Sequence, residues 1–226
     1  MHCVTMDEAV ASVADFIAAD SFHLVITLGV EMVMNAQRDA RFLAVARKAS
    51  LLTPDTIGVV WAARRKGHKV NRVAGIEMLE HLAERGAREG WRFFLLGGKP
   101  GIAEEASQAL VKRYPGLVVA GTSDGYFKED AEVILKIRAA RADVLLAAMG
   151  SPRQETWTFD NGDALGVKVA IGVGGSFDVL AGRSVRAPAL MRRFGLEWLY
   201  RLYREPSRVG RMLALPHFAL KILLSG

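Results

Sequence analysis

The feature that most constrains this chain is an alternation that runs from residue 92 to residue 171. Short apolar runs at residues 92–96, 117–120, 144–149 and 167–171 are separated by segments of about a dozen residues with helical spacing, at 101–113, 130–141 and 152–159. Runs such as RFFLL and VLLAAM carry no polar alternate positions, so both of their faces are expected to be buried. Apolar runs alternating with helices predict βαβ units, a parallel sheet and right-handed crossovers. The expected fold class is therefore α/β, a doubly wound Rossmann-like sheet with helices on both faces.

Upstream, residues 23–27 (HLVIT) read as a further strand, and Leu51-Leu52 as a strand remnant stopped by Thr53-Pro54-Asp55. The spacing predicts helices over 31–48, 57–66 and 76–88. Beyond Gly182 the strand signals stop and the pattern becomes helical, rich in Arg and Leu. This divides the 226 residues into an α/β domain over 1–182 and a helical appendage over 183–226.

Charge follows the same division. Residues 183–226 hold nine Lys/Arg against two Asp/Glu, and the remaining 21 and 22 nearly cancel, so the net +6 belongs to the appendage. Its arginines, Arg201, Arg208 and Arg211 among them, are interleaved with Trp198, Leu199, Tyr203, Phe218 and Leu223. Arginines beside Trp, Tyr and Leu suit an anionic membrane surface, and no RNA-binding motif accompanies them, so nucleic acid is not expected as a partner. The alternative is that the aromatics pack on the body. A single cysteine and five scattered histidines give neither a disulfide framework nor a zinc site. With no signal peptide and no apolar stretch of about 18 residues, the expected location is cytoplasmic, peripheral at the inner membrane face.

In doubly wound sheets ligands bind beyond the carboxyl ends of the strands, so the residues there are the candidate site. They are Thr27; Asp55; Gly97 and Gly98; Asp124; Gln154 and Glu155; and Gly172, Gly174, Gly175, Ser176 and Asp178. The glycine-rich turns at 97–98 and 172–178 read as a diphosphate cradle or as tight turns, and the spacing at 97–101 is not that of a dinucleotide fingerprint. Asp55 reads as a helix cap or as a general base. Arg72, in a loop, reads as solvated surface or as a clamp for phosphate or carboxylate. No D-x-D pair offers a metal site for a sugar nucleotide's diphosphate, so no metal and no other cofactor is expected.

Seven segments together resemble one family. They are PDTIGVVWAAR (54–64), NRVAGIEML (71–79), FFLLGG (93–98), GTSDGYF (121–127), MGSPRQETW (149–157), GVGGSFDVLAG (172–182) and the arginine- and aromatic-rich stretch 186–211. In this order they are similar to the WecG/TagA/CpsF glycosyltransferases of bacterial surface-polysaccharide assembly. The resemblance implies an inverting, metal-independent enzyme. Such an enzyme moves an N-acetylmannosamine-type sugar, or a related hexose or uronic acid, from UDP to a sugar on a polyprenyl diphosphate. It implies Asp55 as the base, Thr27, Arg72 and Gln154 as substrate contacts, and a membrane role for the appendage. Glu155 is expected to orient its neighbours or the acceptor, and Arg153 to be surface. Gly29, Thr56 and Asn71 depart from the family pattern. They motivate the alternative of a catalytically silent sugar-nucleotide or lipid-surface module; an NAD(P)-binding oxidoreductase is the other. Homo-oligomerisation is left open.

Overall fold

The computed structural model describes residues 1–19, 21–188, 190–191, 196–204 and 214–224. Six parallel strands form one sheet in the order β2-β1-β6-β5-β3-β4. They are β1 (His23–Leu28), β2 (Leu51–Pro54), β3 (Arg92–Gly97), β4 (Val118–Ser123), β5 (Val144–Ala148) and β6 (Val169–Gly172). The helices are α1 (Met6–Ala18), α2 (Val30–Ala36), α3 (Ala40–Lys48), α4 (Ile57–Arg65), α5 (Gly75–Glu89), α6 (Ile102–Arg113), α7 (Asp130–Ala140), α8 (Arg153–Leu165) and α9 (Ser176–Leu180), with α10 (Glu197–Arg204) and α11 (Ala214–Leu224) in the appendage.

The unbroken apolar strands are buried on both faces, as their sequence requires. Val25, Phe93, Leu95, Leu146 and Ile171 pack on one side with α1, α5, α6 and α9. Ile26, Phe94, Leu96, Leu145 and Ala170 pack on the other with α3, α7 and α8. Each fully buried Phe or Leu contributes about 1.5–3 kcal/mol, so these central strands hold the two layers together. Connections leave β1 and β5 toward the second side and β3 and β6 toward the first. These neighbouring strands are thus followed by helices on opposite sides, the arrangement in which ligands bind beyond the carboxyl ends of a parallel sheet. Register levels those ends: Leu28 lies opposite Pro54, Ile26 opposite Gly172, and Gly97 opposite Ala148.

Several elements differ from the sequence expectation. Residues 31–48 form two helices, because the Asp39 carboxylate accepts from Phe42 N at 2.9 Å and starts a new one. The first helix, α1, is opened by a reciprocal Thr5–Glu8 capping box that the apolar pattern did not mark. β2 runs to Pro54, which an edge strand tolerates at its end. α8 continues past 159 to Leu165.

The appendage returns to the body. Phe218 of α11 is buried among Val30, Met34, Val59 and Ala62 of α2 and α4, and Lys221 donates to Gln37 at 2.7 Å. Leu220, Leu223 and Leu224 of the same helix stay exposed, as do Trp198, Leu199 and Tyr203 of α10. No helix among the described residues is long and apolar enough to cross a membrane.

Candidate active site

Three segments meet where β1 and β2 end. Asp55 N donates to Leu28 O at 3.0 Å, and Val73 N donates to Pro54 O at 2.8 Å, which draws the loop before α5 alongside β2. The Asp55 carboxylate does not cap the helix that follows it, whose N-cap is Thr56. Its Oδ1 instead accepts at 2.8 Å from N of Gly75, the first residue of α5. Thr27 closes the corner: a Cβ on Gly75 would lie 2.7 Å from Thr27 Oγ1, so only glycine lets α5 start here. Thr27, Asp55 and the α5 amino terminus are thereby set by one another.

Arg72 lies in the loop just before that terminus. Its Nη2 donates to both carboxylate oxygens of Glu77, at 2.8 and 3.0 Å. Arg186 bonds the same Glu77 oxygen Oε1 through its own Nη2. Burial pushes the Glu77 carboxyl upward, but Arg72 and Arg186 outweigh it and hold the group below its usual range. Sequence reading singled out Arg72 but not Glu77, because an acid in a helix's first turn is ordinarily a dipole partner.

Gln154 and Glu155 form a second centre between β5 and β6. Gly150 N donates to Gln154 Oε1 at 3.1 Å, which orients the amide so that Nε2 donates to Glu155 Oε1 at 2.6 Å. Both side chains are buried. Gly172 at the end of β6 makes room for them: a Cβ there would lie 2.5 Å from Gln154 Nε2 and 2.8 Å from Glu155 Oε1. Glu155 Oε2 has no hydrogen-bond partner among the described residues. Arg153, expected as surface, is exposed, and from there it donates to Gly125 O at 3.0 Å and lies over the Phe127 ring, holding the turn after β4.

Burial raises the Glu155 pKa, against the pull of the Gln154 amide. The folded chain then binds more protons than the unfolded chain at pH values between the two pKa values. Stability from this group is present below the unfolded pKa and lost as pH rises through the folded one. Glu155→Gln is expected to flatten that slope, which melting curves across about pH 4–8 would show.

The glycine turns divide into two kinds. Gly97, at φ +134°, would place a Cβ 2.4 Å from the Ala148 backbone. Gly98 spends its N–H on Ala148 O and its carbonyl on Gly125 N, both at 3.0 Å. In this turn the need for glycine follows from packing. Gly174 and Gly175 differ, because a Cβ on either meets nothing within 4 Å. Next to them the Ser176 hydroxyl donates to Val173 O at 2.6 Å, and the Asp178 carbonyl accepts from Arg183 N and Ser184 N. Asp124 closes a turn by accepting from Tyr126 N at 2.8 Å. Arg201 lies in α10 with its side chain not described, and Arg208 and Arg211 lie outside the described residues. Among the described residues no three His, Cys, Asp or Glu side chains cluster as a metal site.

The sheet thus brings Thr27 and Asp55 to one corner, with Arg72 in the adjoining loop, and Gln154, Glu155 and Gly172 to the next pair of strands. A model of the glycosyl transferase WecG/TagA/CpsF family matches residues 1–226. The chain belongs to this family. A Bacillus spizizenii relative is 35% identical over 200 residues, covering 88% of this chain and 78% of the relative. A Staphylococcus aureus relative is 33% identical over 221 residues, covering 96% and 87%. Both are named N-acetylglucosaminyldiphosphoundecaprenol N-acetyl-beta-D-mannosaminyltransferase. As a family member the chain is a glycosyltransferase, as its strand-end motifs lead one to expect.

Proposed function

We propose that this glycosyltransferase moves an N-acetylmannosamine-type sugar, or a related hexose or uronic acid, from UDP to a sugar carried on a polyprenyl diphosphate, with inversion. The acceptor class is supported by the names of the relatives. The observation that carries the mechanism is the Asp55 carboxylate, anchored by the Gly75 N–H at the mouth between β1 and β2 beside Thr27. One fixed oxygen orients the group, which is the first requirement of a general base.

In this reading the Asp55 carboxylate takes the proton of the acceptor hydroxyl. The hydroxyl oxygen forms its bond to the anomeric carbon as the bond from that carbon to the UDP oxygen breaks. UDP leaves with the electron pair from the opposite face. Arg72, with Arg201, Arg208 and Arg211 of the appendage, counters charge on the phosphates in place of a metal. The open turn at Gly174 and Gly175, with Ser176 and Asp178 in the same segment, would receive the diphosphate. Thr27, beside Asp55, would bound the sugar, with the buried Gln154–Glu155 pair supporting the neighbouring strand ends from beneath. The test is a panel of UDP-sugars offered with a lipid-diphosphate sugar acceptor, with and without chelator. Turnover of one donor, unchanged by chelator, is expected; dependence on added divalent metal overturns the metal-free reading.

The appendage brings this site to an anionic membrane surface, at the inner face of the cell membrane. The exposed Leu220, Leu223 and Leu224 of α11 support that role, because the same helix is seated on the body by Phe218. Substituting all three leucines with glutamine is expected to weaken sedimentation with vesicles containing anionic lipid, with the largest loss at low salt. Unchanged sedimentation would remove α11 from the membrane contact. The three substitutions leave Phe218 in place between α2 and α4.

A further inference from the structure

The chain leaves α9 along a defined track. Arg183 N and Ser184 N bond the Asp178 carbonyl, and the Arg183 side chain bonds Glu105 in the first turn of α6, Nε to Oε2 at 2.9 Å. Three residues on, Arg186 reaches Glu77 in the first turn of α5, and Ala187 is buried behind it. Glu77 already holds Arg72 through both oxygens. One half-buried carboxylate is therefore shared by two guanidiniums from segments more than a hundred residues apart in sequence. Arg186 adds little freedom of its own, since its side chain is only 17% exposed and its Nε is buried with no partner among the described residues.

The geometry points to Glu77 as a positioning residue that sets Arg72 at the site mouth and couples it to Arg186, where the chain enters the appendage. The inference rests on the transferase reading only for its effect on turnover. Two guanidiniums brought together without a carboxylate between them repel, and a guanidinium released from a bidentate partner regains its rotamers. Loss of Glu77 therefore frees both segments at once. The outcome is a site cation whose placement depends on Arg186, where the chain enters the appendage.

Two measurements on the full chain test this. The first is a cycle of Glu77→Gln and Arg72→Gln read on kcat/KM. Alone, Glu77→Gln is expected to lower kcat/KM about 10–100-fold, mostly through a higher KM for the phosphate-bearing substrates. In the Arg72→Gln background it should add less than about twofold, because its effect passes through Arg72. Equal losses in both backgrounds, or no loss, would overturn the inference. The second is amide hydrogen exchange, which needs no turnover and still decides the matter if no donor is found. Glu77→Gln should speed exchange in both 70–74 and 183–188, and Arg186→Gln should speed it in 70–74. A change confined to one segment would contradict the coupling. Arg186→Gln also serves if Glu77→Gln does not fold. An inactive wild type with coupled exchange would count against the transferase reading and leave the positioning role standing.

Discussion

Replacing Asp55 with asparagine is expected to cut glycosyl transfer about 10²–10⁴-fold, the usual worth of a positioned general base, while leaving the fold intact. The separation of the two effects comes from geometry. The substituted side chain keeps an amide oxygen that can accept from Gly75 N, the bond that Asp55 Oδ1 makes at 2.8 Å. What is lost is the negative charge and the ability to take a proton. A melting curve within a few degrees of wild type, combined with the loss of rate, would assign the residue to chemistry. If the variant instead unfolded, Asp55 would be acting chiefly as the anchor of α5.

Gly97→Ala is expected to be the most damaging glycine-to-alanine change among the described residues, destabilising the protein by about 3–5 kcal/mol from the sum of backbone strain and overpacking. The φ of +134° is one that an L side chain rarely adopts. The clash is with the Ala148 carbonyl and Cα, at 2.4 and 2.8 Å, not with a side chain that could turn away. β3 and β5 are paired through this point, so relief would require the two central strands to part. Gly175→Ala is the control, with no atom within 4 Å of the new methyl group. Chemical denaturation of the pair should therefore show a large loss for the first and little change for the second.

The sheet was legible because RFFLL and VLLAAM have no polar face, and only a doubly covered parallel strand satisfies that pattern. The strand-end residues followed from the fold. Less legible were features decided by capping or by distant partners. Residues 31–48 look like one amphipathic helix until the Asp39 side chain is seen to bond Phe42 N. Thr5 and Glu8 carried the signature of a helix start, but the apolar pattern alone did not mark the helix that follows. The pairing of Gln154 with Glu155 runs against the rule that adjacent helix residues face apart. It arises because Gly150 N holds the amide oxygen and glycine at 172 leaves room for both side chains. Glu77 could not be found by spacing, since its two arginines lie 5 and 109 residues away. Whether the apolar residues of the appendage face the body or solvent has no signal in their spacing, and α11 divides them, with Phe218 on the body and Leu224 in solvent.

The central claim is that Asp55 drives a single inverting displacement onto a lipid-linked sugar. It is tested most directly by isolating the product from the full chain, a UDP-N-acetylhexosamine donor and an N-acetylglucosaminyl-diphosphate-lipid acceptor. The account predicts one added sugar per acceptor, one UDP released per sugar, and an anomeric configuration opposite to that of the donor. A product with retained configuration, or UDP release with no sugar on the lipid, would contradict it.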